Sequence, residues 1–123
     1  MADDRFFTTE EANAALPSLR ERLTRIREAR ATVLSSAEVV RRAAPADGGG
    51  SEGAAYLEAS RVLREEVEGL ATDGIILRDP ESGLVDFPSR REGRTVYLCW
   101  RLGEDRVAHW HDAASGFAGR RPL

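Results

Sequence analysis

The chain contains no lysine. All 18 of its basic residues are therefore arginines, and they stand against 21 acidic residues for a net charge of −3. The absence of lysine excludes a Walker-type phosphate loop and Schiff-base chemistry on a side-chain amine. A mildly acidic chain with both signs interspersed also argues against general nucleic-acid binding, which carries a net basic footprint. Cysteine is nearly absent as well: Cys99 stands alone, so no disulfide can form within the chain, as suits a reducing compartment. No run approaches the roughly 20 consecutive apolar residues of a membrane span. The stretch Met1 to Glu11 has no cationic start followed by an apolar core, so a cytoplasmic location is expected.

What is present points to one domain. The 123 residues are 41% hydrophobic and 7% aromatic, a globular composition with a modest core. Thr8 and Glu11 form a capping box that starts a helix near Thr9. Pro17 should kink or restart that helix about two turns in. Leu16, Leu19, Leu23, Ile26, Val33, Ala37 and Val40 then recur at spacings of three and four, a coiled-coil seam with Arg30 at one position, running to about Ala44. Pro45 to Ser51 reads as a breaker. A second helix follows from about Glu52 to Ala71, with Tyr56, Ser60, Leu63, Val67 and Leu70 as its seam and Gly74 as its stop.

Beyond Gly74 the period changes from helical to alternating. Strands are expected over Ile75 to Arg78, Leu84 to Phe87, Thr95 to Leu102 and Arg106 to His111, and the tail Ser115 to Leu123 is too glycine-rich for regular structure. The expected fold is α+β: residues 8–72 form a long antiparallel helical hairpin packed on a three- or four-stranded antiparallel meander of residues 75–112, and residues 113–123 are an irregular tail. The first helix, at about 1.5 Å per residue, outruns the second by roughly 24 Å. Leu16, Leu19 and Leu23 must therefore be covered by the sheet or by a second copy, and a homodimer of four packed helices is expected.

Several motifs taken together resemble a known family. They are Arg5-Phe6-Phe7-Thr8 with Glu10 to Asn13, Gly83 to Pro88, Tyr97 to Glu104, Trp110-His111 and Gly116 to Leu123. In this order they resemble the bacterial domain of unknown function 2203. The resemblance implies a prokaryotic origin and a shared fold, but no reaction. His111 belongs to the family pattern and His109 does not.

The residues that can carry chemistry lie in the second half. Cys99, Glu104, His109, His111 and Asp112 bring soft and hard donors into one β-hairpin, although no CxxC or HExxH spacing is present. If Gly103-Glu104-Asp105 forms a three-residue loop, Cys99 stands opposite His109 and Tyr97 opposite His111 on the face away from the helices. An even-numbered loop would turn both histidines inward. In the first register Cys99, His111 and Asp86 line a site for a transition metal. Arg101, Arg120 and Arg121 are available for an anion, unless neighbouring acids neutralise them. A serine–histidine–acid set can be drawn from Ser89, Ser115, His111 and Asp86 or Asp112, but no serine occupies a nucleophile elbow. Two functions stay open: a non-enzymatic homo-oligomeric assembly module, and a small metal- or anion-binding enzyme or sensor with its site on the outer face of the sheet.

Overall fold

The computed structural model describes residues 5–47 and 50–123. Two helices, α1 (Thr9–Asp47) and α2 (Gly50–Thr72), precede β1 (Ile76–Asp79), β2 (Leu84–Arg91), β3 (Arg94–Arg101) and β4 (His109–His111). A 3-10 turn (Phe117–Gly119) then leads to β5 (Arg121–Pro122). Among the described residues these strands form one antiparallel sheet in the order β1-β2-β3-β4-β5. The α+β hairpin-and-meander is as expected, but the strand number is five and not three or four. The difference lies in the tail, where β5 pairs with β4 through His109–Pro122 and Trp110–Arg121. Residues 113–123 are thus partly ordered despite their glycines.

The helix ends follow from local chemistry. Thr8 Oγ1 accepts from the Glu11 amide at 3.0 Å and Glu11 Oε1 accepts from the Thr8 amide at 2.9 Å, closing the capping box. At the end of α2 the Gly74 amide donates to Ala71 and the Ile75 amide to Leu70 in a Schellman motif, with Gly74 at φ 82°. Pro17 does not divide α1, which is continuous over 39 residues. Its ring lies on the exposed side, while Leu16, Leu19, Leu23 and Ile26 are buried on the other. The expected breaker at Pro45 to Ser51 is mostly absorbed into the helix ends, and its residues 48–49 lie outside the described set.

The inner face of the sheet covers those leucines within one chain. Val85 and Phe87 of β2, Val96, Leu98 and Trp100 of β3, and Trp110 of β4 meet Leu16, Leu19, Leu23, Ile26 and Leu70 in one core. Phe7 packs edge-on against Phe87 at 5.1 Å. Beyond Ile26 the seam departs from expectation. Ala29 and Ser36 are buried, whereas Ala37 is exposed. On α2, Val67 is 38% exposed, because the helix turns Glu66 toward Arg22 and Arg25, which hold it at 3.5 and 2.9 Å.

The second strand is longer than expected, reaching Arg91, because Glu92 and Gly93 both take positive φ in a two-residue turn of the twist that suits a hairpin. Pro88 is tolerated there since β1 pairs no further along β2 than Asp86, and the Pro88 carbonyl accepts from the Phe7 amide at 2.7 Å. The last predicted strand is shorter, starting at His109 and not Arg106. Leu23, fully buried between helices and sheet, is the test of this packing. Leu23→Ala should lower the unfolding free energy by about 2–5 kcal/mol in urea denaturation. A change within about 0.5 kcal/mol, the range of ordinary surface substitutions, would contradict the core described.

Candidate metal centre

Strand alternation puts Asp86 on the outer face. Its neighbours Val85 and Phe87 are both fully buried in the core, so the carboxylate must point the other way. In register Asp86 stands beside Cys99, Cys99 beside His109, and Tyr97 beside His111. This is the odd-numbered register, with both histidines on the outer face. Asp86, Cys99 and His111 each offer a ligand atom, and these atoms lie within 4.8 Å of one another. The three residues are 1%, 1% and 4% exposed, which separates them from the many acidic clusters that lie open to water.

The hydrogen bonds around the cluster do not close. His111 Nδ1 lies 2.7 Å from the Asp112 carbonyl, which only accepts, so Nδ1 carries a proton. Nε2 then faces Asp86 Oδ2 at 3.0 Å, an acceptor again, and that contact is favourable only with a proton or a cation between the two atoms. Oδ2 also accepts from Arg78 Nε at 2.8 Å. Asp86 Oδ1 has no partner at all, and it is the one buried side-chain polar atom of which this holds among the described residues. An unpaired buried carboxylate oxygen costs on the order of 1–3 kcal/mol. The ring of His111 is fixed by stacking on Tyr97 at 5.5 Å and 28°.

Cys99 is covered by the tail. Glu104 and Arg120 are joined by bonds of 2.7 and 3.2 Å, and the Arg120 guanidinium reaches the thiol. Burial pushes the Cys99 thiol up to about 11, with the Asp86 carboxylate adding to the shift and Arg120 opposing it. At neutral pH roughly one thiol in 10⁴ is ionised, so Cys99 is a poor nucleophile there. Burial alone would raise the Glu104 carboxyl, but Arg120 and the Arg101 amide outweigh it and hold the group below the usual range.

The other candidates are occupied elsewhere. Glu104 is taken by Arg120, and Asp112 Oδ1 accepts from the amides of Ala114 and Ser115. His109 lies outside the cluster. Ser89 is buried on the inner face and donates to the Phe7 carbonyl at 2.6 Å, away from His111. Arg101 and Arg120 both approach the ring of Phe117, while Arg121 approaches Trp110, a residue of the opposite face. The three arginines therefore do not gather into one patch. The arginine at the cluster is Arg78, which sequence reasoning missed. Its place beside Asp86 follows from the pairing of Ile76 with Asp86, a register the sequence does not mark.

A cavity of about 340 Å³ opens beside the cluster, lined by Arg78, Leu84, Asp86, His111 and residues 113–117. A larger cleft of about 440 Å³ lies between Phe6, Ser89, Trp110 and Leu123, away from the cluster. With this geometry in place, the comparisons add one result. A family model described as Uncharacterized conserved protein (DUF2203) matches residues 5–123. The chain belongs to this family. No curated protein and no solved structure matches it.

The coverage of Cys99 in this DUF2203 protein is testable by alkylation. The native thiol should resist iodoacetamide near neutral pH and react faster as pH rises toward 11, while the denatured chain reacts at once. Glu104→Gln, which removes the charge holding Arg120, should speed native labelling severalfold. Equal rates for native and denatured protein would contradict the burial.

Proposed function

We propose that this protein binds one divalent transition-metal ion of the zinc type between Asp86, Cys99 and His111. The observation that carries the reading is the buried, unpartnered Oδ1 of Asp86 beside an imidazole nitrogen and a thiol within 4.8 Å. Sulfur, nitrogen and oxygen donors together suit zinc. A tetrahedral ion needs donor separations of about 3.3 to 3.6 Å, given metal–ligand bonds of about 2.0 to 2.3 Å. The 3.0 Å edge between His111 and Asp86 is close to this, and the remaining edges require a contraction of about 1.2 to 1.5 Å at most.

Charge bookkeeping supports the same reading. In the metal-free state one proton sits between His111 and Asp86 and one on Cys99; a divalent ion replaces both, so two protons leave and the local charge is unchanged. The new thiolate and the ion compensate each other, so no net buried charge is added, which lowers the cost of inserting an ion. Three protein ligands leave one coordination position open, the mark of a catalytic or sensing site more than of a closed structural one. A small metal-dependent enzyme or sensor is the function class this favours.

Zinc added to the metal-free protein should bind at one ion per chain in native mass spectrometry. His111→Ala and Cys99→Ala, checked for folding by circular dichroism, should each lose more than the roughly 10–100-fold that removal of an outer partner costs. Full zinc occupancy in a folded His111→Ala variant would sink the proposal.

A second reading, an assembly module, is favoured by a different observation. The core cluster reaches no further along α1 than Ile26, so residues 27–47 extend for roughly 30 Å beyond it. On this half of the hairpin Leu34, Val39 and Leu57 are 59%, 44% and 68% exposed. We read this as the surface of a homodimer, in a bacterial cytoplasmic protein with no nucleic-acid partner. The single cysteine, the net charge and the family motifs support that setting. Among the described residues no helix is long and apolar enough to cross a membrane. Sedimentation at micromolar concentration should show a dimer that Leu34→Glu with Leu57→Glu dissociates without loss of helicity. A monomeric parent chain would end this reading.

A further inference from the structure

We infer that the cavity beside the cluster receives a small oxyanion, a phosphate or a carboxylate, held between Arg78 and the metal ion. The inference rests on the metal reading for one of its two contacts. Arg78 donates through Nε to Asp86 Oδ2 at 2.8 Å, and its guanidinium carbon lies 5.5 Å from the centre of the Tyr97 ring. These two contacts orient the guanidinium. Among the described residues its terminal nitrogens donate to none, so their four N–H bonds remain for a ligand. A planar guanidinium in a fixed orientation recognises two oxygens of one anion.

The charges point the same way. Arg120 is neutralised by Glu104, and the cluster balances with either two protons or one divalent ion, so Arg78 leaves a net charge of +1 at the cavity wall. Because the local charge is the same with and without the ion, what the ion adds is its open coordination position: that position accepts one oxygen while Arg78 holds the others, so oxyanion binding depends on the metal. At about 340 Å³ the space is near the lower end for ligand pockets, which run from about 300 to 1,000 Å³. The ligand is a small molecule with its anionic group turned inward and its remainder against Leu84 and Phe117.

The test is calorimetric titration of inorganic phosphate, and separately of acetate, into zinc-loaded and metal-free protein, with zinc content read by native mass spectrometry. Saturable binding to the zinc form alone, weakened at least tenfold in Arg78→Gln at unchanged zinc content, is expected. The tighter of the two anions identifies the group as phosphoryl or carboxylate. Absence of binding by the zinc form, or equal binding by Arg78→Gln, overturns the inference and leaves the metal reading intact. Should Arg78→Gln also shed zinc, Arg78→Lys retains the charge without the fork: it must keep zinc and bind the anion more weakly, and unchanged binding overturns the inference. A parent protein that takes up no zinc overturns both readings.

Discussion

A carboxylate buried in the middle of a sheet is the constraint around which the outer half of this molecule is arranged. Asp86 lies between Val85 and Phe87, whose side chains are fully withdrawn into the core, so its own side chain has one direction available. Leaving a lone charge there would cost several kcal/mol. Arg78 from β1 and His111 from β4 supply cationic or proton-bearing partners to one of its oxygens, and Arg120 of the tail, paired with Glu104, lies beside the neighbouring Cys99. The second oxygen remains without a hydrogen-bond partner.

The two faces of the sheet divide the work. The inner face meets α1 and α2 through Trp100, Phe87, Leu98 and Val96, large residues that hold the strands in a fixed register. The outer face inherits that register, so the donors of β2, β3 and β4 are positioned by the same packing that stabilises the fold. Sites on rigid strands are placed more closely than sites on loops. The cavity wall opposite is the segment 113–117, which carries the Asx turn at Asp112 and a positive φ at Gly116. One wall of the cavity is thus rigid strand and the other is loop.

Much of this was legible in the sequence because strands obey a two-residue period. The inward set Val96, Leu98 and Trp100 and the outward set Tyr97 and Cys99 follow from alternation alone, and the connection to β4, which spans residues 102–108 and not the three-residue loop expected, keeps the odd register that carries both histidines outward. Other features were not legible, for identifiable reasons. Glu92-Gly93 lacks the asparagine or aspartate that usually marks a two-residue hairpin, so the full length of β2 was hidden. Glu66 takes a place in the helix interface through two arginines of α1, a tertiary pairing that no hydrophobic pattern records. The strand β5 contains proline and follows a segment broken by Gly116 and Gly119, and only its pairing with β4 reveals it. Arg78 was missed because its role depends on the β1–β2 register, which a bulge between Leu77 and Asp79 shifts.

The central claim is that Asp86, Cys99 and His111 converge on one metal ion. Cobalt(II) added to the metal-free protein reports this directly, since its visible absorption depends on geometry and its near-ultraviolet absorption on thiolate ligation. The account predicts intense visible bands of a four-coordinate ion and a thiolate-to-cobalt charge-transfer band, both saturating at one ion per chain and the latter lost in Cys99→Ala. A weak spectrum of six-coordinate cobalt with no charge-transfer band, in a correctly folded protein, would contradict it.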